Sequence, residues 1–202
     1  MKYVIIHGAF GSKDGNWFPW LKKNLDELGH SVILEQYPVD DFDEITKKGK
    51  NNSDNTIQNL KSWLNLFQNK ILPNIKKDEP LVFIGHSLAP LFILHLLNKF
   101  SIKLNAGIFV SPFMSEIGGQ YWQFDFVNKS FYKTNFNWKK LKELMPYSYV
   151  IYGEKDPYVK SVYPKKFAEK LSSSLIKIPN GGHLGEEYKE FPLMLELCKI
   201  VG

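Results

Sequence analysis

Ser87, Asp156 and His183 are the residues whose types and spacing best suit chemistry in this chain. Ser87 sits in LVFIGHSLAP (81–90), where four apolar residues run into a Gly-x-Ser-x-Ala turn followed by Pro90. A Gly-x-Ser-x-Gly elbow uses its glycines to form a sharp strand-to-helix turn that holds the serine hydroxyl clear of the sheet. Here Ala89 replaces the second glycine and adds one methyl at the helix–strand contact. Pro90 falls in the first helical turn, where its missing N–H costs little. Asp156 lies in YGEKDPYV (152–159), in a turn held by Pro157. His183 lies in IPNGGHLGEEY (178–188), behind two glycines that permit close approach to another loop. Taken singly, each has an ordinary reading: Ser87 as a helix cap, Asp156 as a turn residue, His183 as a surface histidine. Taken together they run in the order Ser, Asp, His, each just after an expected strand. That order suits acyl transfer, with Ser87 as nucleophile, His183 as the base that takes its proton, and Asp156 orienting and stabilising the imidazolium.

Such a reaction also needs N–H donors for the developing oxyanion. HGAFGSKDGNW (7–17) offers the backbone N–H of Ala9 or Phe10, to be paired with that of Leu88. His7 is expected to shape this loop, and His86 occupies the variable position of the elbow. His95 reads as a satisfied core histidine and His30 as a turn residue. No two histidines have metal-ligand spacing on a helix, so no metal is expected. GAFGSKDG lacks the ending of a phosphate loop and nothing matches a dinucleotide fingerprint, so no cofactor is expected either. Trp17, Trp20, Tyr121, Trp122, Phe124 and Phe126 are candidates for pocket walls, with core packing the alternative for each.

The elements that must position these loops show as short apolar runs alternating with stretches of helical period. Strands are expected at 3–7, 31–37, 81–85, 104–111, 147–153 and 174–179. Helices are expected at 16–29, 55–71, 88–100, 160–171 and 188–200, the second carrying Ile57, Leu60, Trp63, Leu64, Phe67 and Ile71 at helical spacing. This alternation predicts one α/β domain over 1–202 with a mostly parallel sheet, and right-handed crossovers put helices on both faces. Ligands of such a sheet gather beyond the carboxyl ends of its strands, where all three loops fall. Residues 38–55 read as a surface connector bordering the site. Residues 112–137, aromatic-rich with a Gly-Gly pair, break the rhythm and read as a functional loop or lid, or as a packed surface excursion.

Composition narrows the function classes. With 202 residues, 44% hydrophobic and 15% aromatic, the chain fits a globular domain. All 26 basic residues are lysines, scattered in pairs such as Lys22-Lys23, Lys76-Lys77 and Lys139-Lys140, against 21 acidic residues. Without arginine forks or a basic run, no nucleic-acid partner is expected. An anionic substrate would have to rely on lysine or backbone donors, which favours neutral esters or thioesters. The single cysteine, Cys198, excludes an intrachain disulfide and fits a reducing compartment. The apolar run before His7 is too short for a signal-peptide core, and no segment approaches the roughly 18 apolar residues of a membrane span. A cytoplasmic location is therefore expected.

GNWFPWLKKNLDELG, FIGHSLAP, GEKDPYV and NGGHLGEEYKEFPLMLEL together resemble the serine hydrolases related to retinoblastoma-binding protein 9 and to bacterial YdeN. The resemblance covers nearly the whole chain. Its most specific parts are the Trp-x-Pro-Trp-Leu helix start and the Gly-Gly-His-x loop. It implies a compact α/β-hydrolase, a three-layer sandwich with a six-stranded mostly parallel sheet and no large cap domain. It places that family's triad on Ser87, Asp156 and His183, and implies carboxylester hydrolysis. The chain departs from the family at Ala89, and the Leu-x-Cys-x-Glu motif of retinoblastoma binding is absent, with LELCKI around Cys198. No retinoblastoma partnership is carried over. The expected partner is a small-molecule ester of a small or medium acyl group. The rival expectation is a protein-interaction module that keeps the fold with little or no turnover.

Overall fold

The computed structural model describes residues 1–51, 55–132 and 135–202, so part of the expected connector (52–54) and of the aromatic insert (133–134) lies outside the described residues. The strands are β1 (Lys2–Ile6), β2 (Ser31–Leu34), β3 (Leu81–His86), β4 (Ala106–Val110), β5 (Tyr147–Gly153) and β6 (Ser174–Ile178). The α-helices are α1 (Phe18–Glu27), α2 (Phe42–Lys48), α3 (Leu60–Leu66), α4 (Ala89–Phe100), α5 (Trp122–Asn128), α6 (Trp138–Leu144), α7 (Val162–Leu171) and α8 (Pro192–Val201). The six strands form one sheet in the order β2-β1-β3-β4-β5-β6, and every pairing is parallel. β1, β3 and β4 are buried along their whole length, which is why they read as unbroken apolar runs. The chain leaves β1 for β2 on one side and returns to β3 on the other. That reversal opens a crevice at the carboxyl ends of β1 and β3, beside Ser87.

Side chains alternate between the two faces with the period of a strand. Tyr3, Ile5, Val82, Ile84, Ile108 and Ile151 pack with Phe18, Leu21 and Leu25 of α1 and Met194 and Leu197 of α8. Val4, Ile6, Phe83, Phe109 and Val150 pack with residues of α3, α4, α6 and α7, among them Trp63, Phe92, Leu141 and Phe167. The result is the expected three-layer sandwich. No helix among the described residues is long and apolar enough to cross a membrane.

Four stretches differ from expectation. The helix expected from 55 starts at Leu60, because Asn59 caps it by accepting the Ser62 N–H, and Ile57 is left 57% exposed. That helix then widens into a π turn (Phe67–Ile71) and tightens into a 3₁₀ turn (Leu72–Asn74) containing Pro73. The last helix starts at Pro192 rather than 188, after a turn closed by the Tyr188 N–H on the Gly185 carbonyl. The connector holds α2, which buries one apolar residue, Ile45, and is formed by local means instead. Its Asp41 caps the Glu44 N–H, acidic residues open it and lysines close it. The aromatic insert holds α5 and the Asn137 cap of α6, and Asp125 ties it together by accepting from the Ile117 and Gly118 N–H groups and the Tyr132 hydroxyl.

Gly85 is where β3 meets α4. A Cβ there would lie 2.8 Å from the Pro90 nitrogen and 2.8 Å from Ile93 Cδ1. Gly85→Ala is expected to lower the unfolding free energy by about 1–3 kcal/mol through overpacking, read from urea melts. A melt unchanged from wild type would contradict this packing.

Candidate active site

Ser87 has φ +62°, a left-handed conformation that a residue with a Cβ rarely adopts. Its N–H donates to the Val110 carbonyl at 2.8 Å, carrying the β3–β4 ladder one step past the strand. Gly8 of the neighbouring loop passes so close that a Cβ on it would lie 2.7 Å from Ser87 Cβ. The helix-cap reading of Ser87 is not what the structure shows. Leu88 is the cap residue of α4, and no side chain caps that end. Ala89 is fully buried and opens the helix, so the methyl in place of glycine is accommodated.

Asp156 follows β5 with its side chain only 2% exposed. Its Oδ1 accepts the Tyr158 and Val159 N–H groups at 2.8 and 2.9 Å, and its Oδ2 lies 2.7 Å from His183 Nδ1. A carboxylate oxygen accepts here, so the His183 Nδ1–H is the donor of this bond and Nε2 takes no part in it. The two loops meet backbone to backbone. Lys155 N–H donates to the Gly181 carbonyl at 2.8 Å, and a Cβ on Gly153 would collide with the Gly181 and Gly182 carbonyls.

Four further residues fix the His183 loop. The His183 carbonyl accepts from His86 Nε2 and from Ser111 Oγ, each at 2.9 Å. The Trp17 indole N–H donates to the Leu184 carbonyl at 2.9 Å, and the Glu187 carboxylate accepts the Leu184 and Gly185 N–H groups. His86 directly precedes Ser87, so these bonds join the elbow to the His183 loop. Because a carbonyl only accepts, His86 carries a proton on Nε2. Burial first, and then the neighbouring His183, push its pKa down to about 3. Sequence reasoning left His86 a variable position and missed Ser111, although Ser111 is the first residue past β4 and so meets the strand-end criterion that found Asp156 and His183. Trp17 is corrected from pocket wall to core: it is fully buried and its N–H is spent on Leu184.

The loop after β1 and the elbow carry the backbone N–H groups expected as donors. The Ala9 and Leu88 N–H groups have no hydrogen-bond partner among the described residues. Phe10 is corrected as an oxyanion donor, because its N–H is taken by Gln58 Oε1 at 2.9 Å. Gln58 is itself fully buried and donates to Asn128 Oδ1 at 2.8 Å. Its partner lies 48 residues away, a pairing no local pattern announces. His7 shapes the loop as expected: Nδ1 donates to the Gly8 carbonyl and Nε2 accepts from the Tyr37 N–H. Burial lowers its pKa to about 4. His95 is a satisfied histidine, donating to the Phe131 carbonyl at 2.8 Å.

Of the remaining pocket candidates, Tyr121 and Phe124 are half-buried beside Tyr158, whose ring centroid is 5.2 Å from that of His183. Trp20 is half-buried against the α1–α8 layer, and Trp122 packs on Phe126. Two open hollows of about 390 and 610 Å³ share Leu104 and Asn105 at the amino ends of the strands, opposite this site.

The family model described as serine hydrolase matches residues 3–198, and the chain belongs to that family. It is 25% identical over 201 residues to the hydrolase YdeN of Bacillus subtilis (strain 168), covering 96% of this chain and 92% of that one. The crystal structure of the B. subtilis ydeN product aligns with a TM-score of 0.78 at 24% identity, over 99% of this chain and 97% of that one. Est1E from Butyrivibrio proteoclasticus with ferulic acid bound aligns at 0.68 and 18% identity, over 98% and 86%. A methylesterase from Arabidopsis aligns at 0.66 and 15% identity, over 100% and 98%. The fold is that of the α/β-hydrolases, as the resemblance implied, and the protein is an enzyme of the serine hydrolase type.

His7 and His86 are buried neutral, whereas in the unfolded chain each titrates near 6.5. Below that pH the unfolded chain takes up protons that the folded chain refuses. Unfolding free energy should therefore be flat for these groups above 6.5 and fall by about 1.4 kcal/mol per pH unit for each on acidification towards about pH 4. Urea melts over that range check it, and His86→Gln is expected to remove one proton's share of the slope. A slope unchanged by that substitution would contradict the assignment.

Proposed function

We propose that this member of the serine hydrolase family cleaves carboxylic esters or thioesters of small or medium acyl groups, with Ser87 as nucleophile, His183 as general base and Asp156 as its orienting carboxylate. The observation that carries the reading is the 2.7 Å Asp156–His183 pair on a loop bonded through His86 to the strained elbow of Ser87. The serine is held left-handed against Gly8, and the buried carboxylate gives one oxygen to its own turn and the other to the His183 ring. Strain of this kind is retained where surrounding structure over-determines it and function needs it.

In this mechanism Ser87 Oγ attacks the ester carbonyl carbon as its proton passes to His183 Nε2. The carbonyl oxygen becomes an oxyanion held by the Ala9 and Leu88 N–H groups, a pair of donors of the type whose individual loss costs roughly 10²–10³ in rate. Collapse breaks the bond to the leaving oxygen or sulfur, which takes the proton from His183. Water then gives a proton to His183 and attacks the acyl-Ser87 ester, and the acid leaves as Ser87 regains its proton. Asp156 stays ionised throughout and stabilises the imidazolium. The neighbours' names fit such chemistry, one being a methylesterase and the other holding ferulic acid. The absence of arginine from the sequence favours an uncharged ester, and the buried lone Cys198 suits a cytoplasmic setting.

Fluorophosphonate labelling read by intact mass tests the reading on wild type, Ser87→Ala and His183→Ala. One adduct on wild type and none on either variant is expected, with kcat/KM on a short-chain ester lowered roughly 10³-fold or more in both. A folded wild type that takes up no probe would overturn it and leave the interaction module standing.

A further inference from the structure

The aromatic rings beside His183 differ from those of the core. Core rings such as Trp63, Phe92 and Phe131 are fully buried, whereas Phe10, Phe42, Tyr121, Phe124 and Tyr158 are each half-buried. These five form one continuous set of contacts. Phe10, on the loop that carries Ala9, meets Phe42 of α2 and Phe124 of α5 edge to face, both at 5.3 Å between centroids. Phe124 lies 5.6 Å from Tyr158, Tyr121 lies 5.0 Å from Tyr158, and Tyr158 meets the His183 ring at 84°. The two short helices are joined by Gln123 Nε2 donating to Thr46 Oγ1 at 2.9 Å. Tyr158 is fixed relative to the Asp156–His183 pair because its own N–H donates to Asp156. A wall of partly exposed rings thus runs from the proposed oxyanion donors to the proposed base, the span over which a bound ester would lie.

We infer that this wall is a subsite for a flat, uncharged aromatic group carried on the acyl or the alcohol side of the ester, an inference that rests on the ester hydrolysis proposed above. Rings set edge to face offer a further ring the same geometry, beyond the area burial that an alkyl chain also obtains. The charge near the wall argues against an anionic ring. Burial first, then Tyr121, Glu186, Asp156 and Glu187, raise the Tyr158 hydroxyl above its ordinary value. Three of those neighbours are carboxylates, and the sequence has no arginine to pair with an anionic ring.

The test measures kcat/KM for methyl benzoate and benzyl acetate against methyl hexanoate and hexyl acetate, in wild type, Phe42→Leu and Phe124→Leu. The first and third esters probe the acyl side, the second and fourth the alcohol side. Wild type is expected to favour the aromatic member of at least one pair by about tenfold, a preference of the size a few ring contacts supply. Phe124→Leu is expected to bring that ratio close to one, mainly through KM. If Phe124→Leu does not fold, Tyr121→Leu takes its place. Fluorophosphonate labelling of the wild type comes first, since its failure would sink the ester reading itself. Labelling with no aromatic preference, or a preference that survives both leucine variants, overturns the subsite alone.

Discussion

Ser87 sits at φ +62°, a left-handed backbone that costs a residue with a Cβ about 1–2 kcal/mol, and much of the surrounding structure follows from holding it there. The turn needs α4 to start directly against β3, which leaves no room for a Cβ on Gly85. It needs the loop after β1 to pass against the serine, which leaves no room for one on Gly8. The Ser87 N–H then bonds the Val110 carbonyl, so the strain is borne by the central ladder rather than by a free loop. The parallel sheet supplies the frame, because its chain reversal between β1 and β3 brings those two loops together at one end.

The second dependence is on the His183 carbonyl. It accepts from His86 and from Ser111, so the end of β3 and the loops after β4 and β6 share one atom. Trp17 and Glu187 fix the next two residues, and Asp156 fixes the ring from the loop after β5. Such a network rigidifies when every member is satisfied and is costly when one is missing. A positive His86 beside His183 would oppose the imidazolium that acyl transfer calls for.

How much of this the sequence reveals depends on whether the cause is local. β1, β3 and β4 are legible because strands covered by helices on both faces are buried throughout and read as apolar runs. The three chemical loops are legible because each follows such a strand and carries its own turn residues. α2 is hidden because charges and an Asp41 cap form it, with Ile45 alone buried. α5 is hidden because WQFDFVN has aromatic residues on every side and no helical stripe. Trp17 misleads because a tryptophan beside a Gly-rich loop suits a pocket wall and a core equally, and its bond to Leu184 spans 167 residues. The capture of the Phe10 N–H by Gln58 is long-range in the same way. Sequence spacing picks out Ser87, Asp156 and His183 as candidates; the groups that hold them in place arrive from distant segments.

The central claim is that the chemistry passes through an acyl ester on Ser87. It is tested most directly by mixing the enzyme with a p-nitrophenyl ester of a hindered acid, following release of the phenol, and mapping the quenched protein by peptide mass. The account predicts a burst close to one equivalent and an acyl group on the peptide bearing Ser87. Steady release without a burst and without a modified peptide, or an acyl group on another side chain, would contradict it.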